Sequence, residues 1–269
     1  MELSKRMSMV AAMVPKGSVV CDIGCDHGFV SIELIRRQIC PHVIASDVRT
    51  GPLERAREHV SEAGLSEQIE LRLSDGLREI RQGEADGFLA AGMGGKLMIR
   101  MITDSLEKVR AMSYMILQPQ SELQALRRFL RENDFRIMRE SMVFEEGKYY
   151  FAMLVSTCEA GRKQLLEQEG ACSGYESLWE SVSKACPEVF SEELSQEKIT
   201  ELADQYGPFL ILQAEDVLMQ YLSWKEEQQR DILPQVASLP EQTQRVEREL
   251  QQIRLVKQLL GYMRQRGKC

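Results

Sequence analysis

The sequence predicts an α/β fold: a seven-stranded, mostly parallel sheet covered by helices, followed by an all-α C-terminal region. Three observations predict it. Up to about residue 157, short apolar runs alternate with stretches of helical periodicity. The first of these runs ends in an acid and enters a glycine turn, Asp22-Ile23-Gly24-Cys25-Asp26-His27-Gly28. Beyond residue 158 the strand signal fades and long amphipathic stretches replace it.

The chain opens with a short amphipathic helix within 1–14, where Glu2, Lys5 and Arg6 stand among methionines. Strands are predicted over 18–23, 43–46, 69–73, 87–91 and 114–117. They end, in order, at the glycine turn, at Asp47, at Ser74-Asp75-Gly76, at Gly92-Met93-Gly94-Gly95 and at Gln118-Pro119-Gln120. Helical patterns lie between them, at 29–37, 52–63, 77–81 and 96–108. Repeated strand–helix units of this length place parallel strands in one sheet with helices on both faces. A helix over 122–132 then leads to two strand-like runs, 136–144 and 148–157, joined by the turn signal Glu145-Glu146-Gly147. The sheet therefore gains a terminal hairpin and one antiparallel member.

The second region, 158–269, reads as helices over 159–169, 175–185, 209–230 and 241–266, with Gly170, Gly174, Pro187, Pro208, Pro234 and Pro240 as punctuation. In the last helix Val246, Leu250, Ile253, Lys257, Leu260 and Met263 recur at intervals of three and four, a coiled-coil seam apart from Lys257. Leu210, Ala214, Val217, Tyr221 and Trp224 form a matching stripe. The connector is too short for parallel packing, so an antiparallel pair is expected.

Bulk numbers narrow the function. With 34 basic and 41 acidic residues the net charge is −7, which argues against indiscriminate nucleic-acid binding. The tail is nevertheless basic: Arg245, Arg248, Arg254, Lys257, Arg264, Arg266 and Lys268 face only Glu247 and Glu249. That suits either a solvated helix face or a phosphate-binding stripe. Seven irregularly spaced cysteines without a C-x-x-C pair, and three histidines, point to free thiols in a reducing cytoplasm and to no metal centre. No apolar window reaches the length of a membrane span, and no signal-peptide pattern opens the chain.

The glycine spacing bears on the ligand. A dinucleotide turn reads G-x-G-x-x-G and seats a pyrophosphate; here the pattern is Asp22-x-Gly24-x-x-x-Gly28 with Asp26 inside. Acids repel a pyrophosphate but attract a sulfonium or an amino group, which favours S-adenosylmethionine over NAD. Asp22 and Gly24 would flank its methionine part. Asp47, 23 residues after Gly24, would accept from ribose hydroxyls, and Asp75 with Gly76 from the adenine amino group. Each acid could instead be a helix N-cap. The run Gly92-Met93-Gly94-Gly95 could admit a flat base or simply cap the next helix.

Together Asp22-Ile23-Gly24-Cys25-Asp26-His27-Gly28-Phe29, Gly92-Met93-Gly94-Gly95 and Leu117-Gln118-Pro119-Gln120 resemble the bacterial tRNA adenine-N1 methyltransferases of the TrmK type. The resemblance extends from Leu3-Ser4-Lys5-Arg6 to the C-terminal helix pair. It implies a Rossmann-like class I methyltransferase sheet over 1–157 and a helical domain over 158–269. It also implies S-adenosylmethionine as methyl donor and tRNA as acceptor, with methylation of a D-arm adenine at position twenty-two. The implied cofactor-binding set is Arg6, Asp22, Gly24, Asp26, His27, Gly28, Asp47, Val48, Asp75, Gly76, Gly92, Met93 and Gly94. Asp26, His27 and Gln118 are the expected catalytic residues: Asp26 for electrostatic support of a base that becomes cationic, His27 to orient it or move a proton, Gln118 to bond its edge. A monomer in the cytoplasm is expected. The competing reading is a small-molecule methyltransferase with a helical dimerisation arm.

Overall fold

A computed structural model describes residues 3–169, 174–185 and 194–266. Glu2, Gly170, Cys172, Cys186, Pro187, Lys268 and Cys269 lie outside the described residues. Contacts divide the chain into two compact units, 1–173 and 174–269.

The first unit begins with α1 (Lys5–Ala11), capped by the Ser4 hydroxyl, which accepts from the Met7 amide. Five parallel strands follow: β1 (Val20–Ile23), β2 (Val43–Asp47), β3 (Ile69–Leu73), β4 (Gly87–Gly94) and β5 (Tyr114–Ser121). The hairpin β6 (Arg136–Glu145) and β7 (Lys148–Ser156) completes a seven-stranded sheet of order β3-β2-β1-β4-β5-β7-β6. β7 runs antiparallel to both neighbours, as expected for the single reversed strand. β1 and β2 are buried along their whole length, which explains their unbroken apolar character up to the terminal acids. Their registers pair Asp22 with Ala45 and Leu89, so β1, β2 and β4 end along one edge of the sheet.

The crossovers are α2 (Phe29–Arg36) and α3 (Thr50–Glu62), then α4 (Gly95–Asp104) with α5 (Leu106–Ala111), and α6 (Leu123–Glu132) before the hairpin. Several elements differ from expectation, β5 among them, which runs on from 117 to Ser121. Residues 77–81 form no helix: 77–79 are a turn, in which the Ser74 hydroxyl bonds Gly76 and Glu79, and a segment this short does not propagate a helix. The stretch 96–108 is two helices broken at Ser105. β4 runs past 91 through Gly92 and Met93 to Gly94, with its register to β5 shifting on either side of Met93. The last helix of this unit, α7 (Glu159–Glu169), packs on β6 and β7.

The second unit holds α8 (Gly174–Ala185), α9 (Gln196–Tyr206), α10 (Pro208–Leu212), α11 (Asp216–Ile232), a 3₁₀ turn (Leu233–Val236) and α12 (Pro240–Arg266). Val246, Leu250, Ile253, Leu260 and Met263 are buried as the seam predicts, joined by Val256 and Leu259. Lys257 leaves the seam and bonds Glu226 at 2.7 Å. The partner stripe is corrected. Ala214 adopts a left-handed backbone (φ 49°) that separates α10 from α11, so the periodicity restarts at 216. Leu218 and Leu222 carry the α11 contact, and Trp224 is 47% exposed. Asp216 at the start of α11 pairs with Arg264 near the end of α12, whereas Lys225 and Glu226 further along α11 pair with the earlier Glu249 and Lys257, which makes the pair antiparallel.

Candidate active site

The carboxyl edge of β1–β4 opens on a cavity of about 520 Å³, within the range of small-molecule sites. Asp22, Asp47 and Asp75, from three adjacent strand ends, all line it, with Gly24, Asp26, Val48, Gly76, Gly92 and Met93. The three acids differ in state. Asp22 is fully enclosed and accepts from the Ser31 hydroxyl at 2.6 Å. Burial pushes its carboxyl up to about 6, with the nearby Asp47 charge adding to the rise and the Ser31 bonds opposing it. Asp47 is also buried, and one of its oxygens accepts from the Arg49 amide at 2.9 Å. Asp75 is half exposed and pairs with Arg78 at 3.0 Å.

The turn after β1 brings backbone close to this space. Gly24 has φ 72°, and a Cβ there would lie 2.6 Å from the Met93 methyl. The absence of a side chain thus lets the ends of β1 and β4 converge on the cavity. Asp26 also takes a left-handed backbone (φ 49°), and its carboxylate is 57% exposed, 3.5 Å from Arg55 and 3.7 Å from His27 Nε2.

Four expected site residues do not line the cavity. Gly28 caps α2 and packs against Ala56 of α3. Gly94 lies beside Ser121, where β4 meets α4. His27 stacks on Phe29 with centroids 5.4 Å apart and lies against His59, beside the cavity turn. Gln118 is buried: its carbonyl oxygen accepts from the Gly92 amide at 3.1 Å and from Arg6 at 3.4 Å, and its amide donates to the Pro119 carbonyl. Two residues further along β5, where the alternation brings a side chain to the same side, Gln120 lines the cavity.

Sequence reading also passed over Met7 and Val10 of α1, Arg49 after β2, and Leu97, Arg100 and Met101 of α4. Apolar residues at helical spacing signal packing, so α1 and α4 gave no hint of a wall. Arg6, by contrast, lines the cavity together with Met7 and Val10 from one face of α1. Among the described residues, no group of three His, Cys, Asp or Glu could hold a metal ion, and no helix is long and apolar enough to cross a membrane.

Residues 3–153, more than half of the chain, match a family model described as a methyltransferase domain. The chain belongs to the methyltransferase-domain family. Within it, the chain is 33% identical over 161 residues to the tRNA (adenine(22)-N(1))-methyltransferase of Bacillus subtilis, a match covering 60% of this chain and 66% of that protein. A Streptococcus pneumoniae structure, a candidate tRNA (m1A22) methyltransferase in complex with S-adenosyl-L-methionine, is 28% identical and superposes with a TM-score of 0.74 over 95% of this chain and 99% of that one. The B. subtilis TrmK crystal structure, 24% identical, shares the fold with a TM-score of 0.69, covering 97% of this chain and 98% of that one.

Proposed function

We propose that this methyltransferase transfers a methyl group from S-adenosylmethionine to N1 of an adenine in tRNA, at position 22 of the D-arm. The observation that carries the reading is the convergence of Asp22, Asp47 and Asp75 on one cavity of the right size. The fit to S-adenosylmethionine follows from the donor set. Asp47 is acceptor-only and buried, suited to vicinal ribose hydroxyls. Val48, 60% exposed beside it, offers an apolar surface to a base. Asp22 offers a buried carboxylate to a cationic amine. S-adenosylmethionine supplies an electrophilic methyl when bound.

Neutral adenine N1 carries a lone pair, so the chain needs no strong general base. It needs a positioned base, a dry approach and groups that tolerate developing positive charge. Asp26, at the cavity, offers a carboxylate that offsets that charge. His27 orients the turn that carries Asp26. Gln118 acts through Gly92 and Arg6, and Gln120 is the side chain able to reach a base edge. A target adenine must leave its stack to enter the cavity. In this reading residues 1–157 perform the transfer and 158–269 engage tRNA, in a cytoplasmic monomer.

The test is methyl transfer to unmodified tRNA and to the same tRNA with guanine at position 22. Radiolabel should enter the first and not the second, and Asp26→Ala should lower kcat while S-adenosylhomocysteine binding persists. Equal labelling of both tRNAs, or none despite cofactor binding, would refute the assignment.

A further inference from the structure

We propose that His59 of α3 is the positioning residue that fixes the turn carrying Asp26 and His27 at the cavity. The proposal rests on the reaction proposed above, in which Asp26 faces the target base.

The turn needs a hold from outside. Asp26 adopts a left-handed backbone (φ 49°), a conformation that persists in a non-glycine residue when its surroundings impose it. Ahead of Asp26 the chain is tied to β2, where the Ser46 carbonyl accepts from the Gly24 and Cys25 amides at 2.8 and 3.0 Å. The Gly28 amide closes the turn onto the Cys25 carbonyl at 2.8 Å. Behind Asp26 the outside hold comes from α3. His59 Nδ1 lies 3.0 Å from the His27 carbonyl oxygen. A carbonyl only accepts, so Nδ1 carries the proton and is the donor.

Other contacts put the same helix against the turn. The His59 ring stacks on Phe29 with centroids 4.8 Å apart, and a Cβ at Gly28 would lie 3.3 Å from that of Ala56. The His27 ring is held by stacking on Phe29: its Nδ1 is buried without a hydrogen-bond partner among the described residues, and its Nε2 is 3.7 Å from Asp26. Arg55, one helical turn before His59, lies 3.5 Å from the Asp26 carboxylate. Both side chains are about half exposed, and such a pair holds weakly. The bond from half-buried His59 therefore carries more of the constraint. A displaced turn moves Asp26 from the base while Asp47 and Asp75 keep their places, so the loss falls on methyl transfer.

The experiment separates the two things the His59 side chain does. In His59→Phe a ring can stack but the donor is gone. In His59→Asn the amide nitrogen stands where Nδ1 does, and the ring is gone. On the full chain with unmodified tRNA, His59→Phe should lower kcat about five- to tenfold, the effect of one lost hydrogen bond, with S-adenosylhomocysteine affinity within about twofold. His59→Asn should recover most of that loss. In an Asp26→Ala background His59→Phe should lower kcat no further. Amide exchange over 24–28, measured without tRNA, should speed up in His59→Phe and not in His59→Asn. Wild-type kcat and exchange in His59→Phe, equal losses in both variants, or full additivity with Asp26→Ala would overturn the assignment. A wild type that binds S-adenosylhomocysteine but leaves tRNA unmethylated would refute the function proposed above, and the exchange contrast would then decide whether His59 holds the turn.

Discussion

Asp22 shows how one residue can tie folding to ligand binding. Its carboxyl, pushed up to about 6 from an ordinary 3.8, keeps its proton to a higher pH in the folded chain than in the unfolded one. A raised pKa means that its contribution to stability is complete below about pH 4 and is lost as pH rises through about 6. An ammonium placed against it opposes the rise, because the ionised form then gains a partner. S-adenosylhomocysteine affinity should therefore rise between about pH 5 and about pH 7. Calorimetry across that range checks this, with Asp22→Asn as control: the variant should bind weakly and with a flat profile. A wild-type affinity independent of pH would mean that Asp22 meets no cation. At the same scale, the glycine turn and its acids were legible because few residue types tolerate those positions. The engagement of Gln118 was not, since its partners, Gly92 and Arg6, lie 26 and 112 residues away in sequence.

Among the elements, α6 and β6 are joined by a buried ion pair, Arg127 to Glu140 at 2.8 Å, with side chains 0% and 1% exposed. Replacing Glu140 by Gln keeps the volume but removes the charge facing the guanidinium. Breaking one side of such a pair costs about 3–5 kcal/mol. Thermal unfolding should show a drop in Tm of several degrees, and simultaneous Arg127→Met should recover part of it. A Tm unchanged in Glu140→Gln would show that the other contacts of Arg127 suffice. This pair was invisible in the sequence: Arg127 sits in an amphipathic helix and Glu140 in an alternating strand, and both patterns read as solvent-facing charge. The strands themselves were legible, because buried parallel strands need unbroken apolar runs and the hairpin needs a tight turn. The phase of α11 was not, because the break at Ala214 depends on a backbone conformation that no composition rule marks.

For the molecule as a whole, the basic tail proves to be divided. Lys257 and Arg264 tie α12 to α11, while Arg245, Arg248 and Arg254 are exposed. Among the described residues of the tail, Arg245, Arg248 and Arg254 are therefore the ones open to a phosphate. Truncation after residue 173, where the contacts divide, should spare S-adenosylhomocysteine binding and weaken tRNA binding with a shallower salt dependence. Filter binding at several salt concentrations measures this; equal tRNA affinity in the truncated chain would remove the helical unit from recognition.

The amino-acid sequence by itself determined the strand–helix alternation, the reversed last strand, the acids at three strand ends and the apolar seam of α12. These are local patterns, read from spacing and from the few residues that turns accept. Only the tertiary structure decided which of those residues share a cavity. It brought Arg6 to that cavity from a helix at the start of the chain, through a carboxylate and a ring on a hairpin some 140 residues later. Contacts across that separation depend on the folded geometry of the sheet, and no periodicity in the chain encodes them.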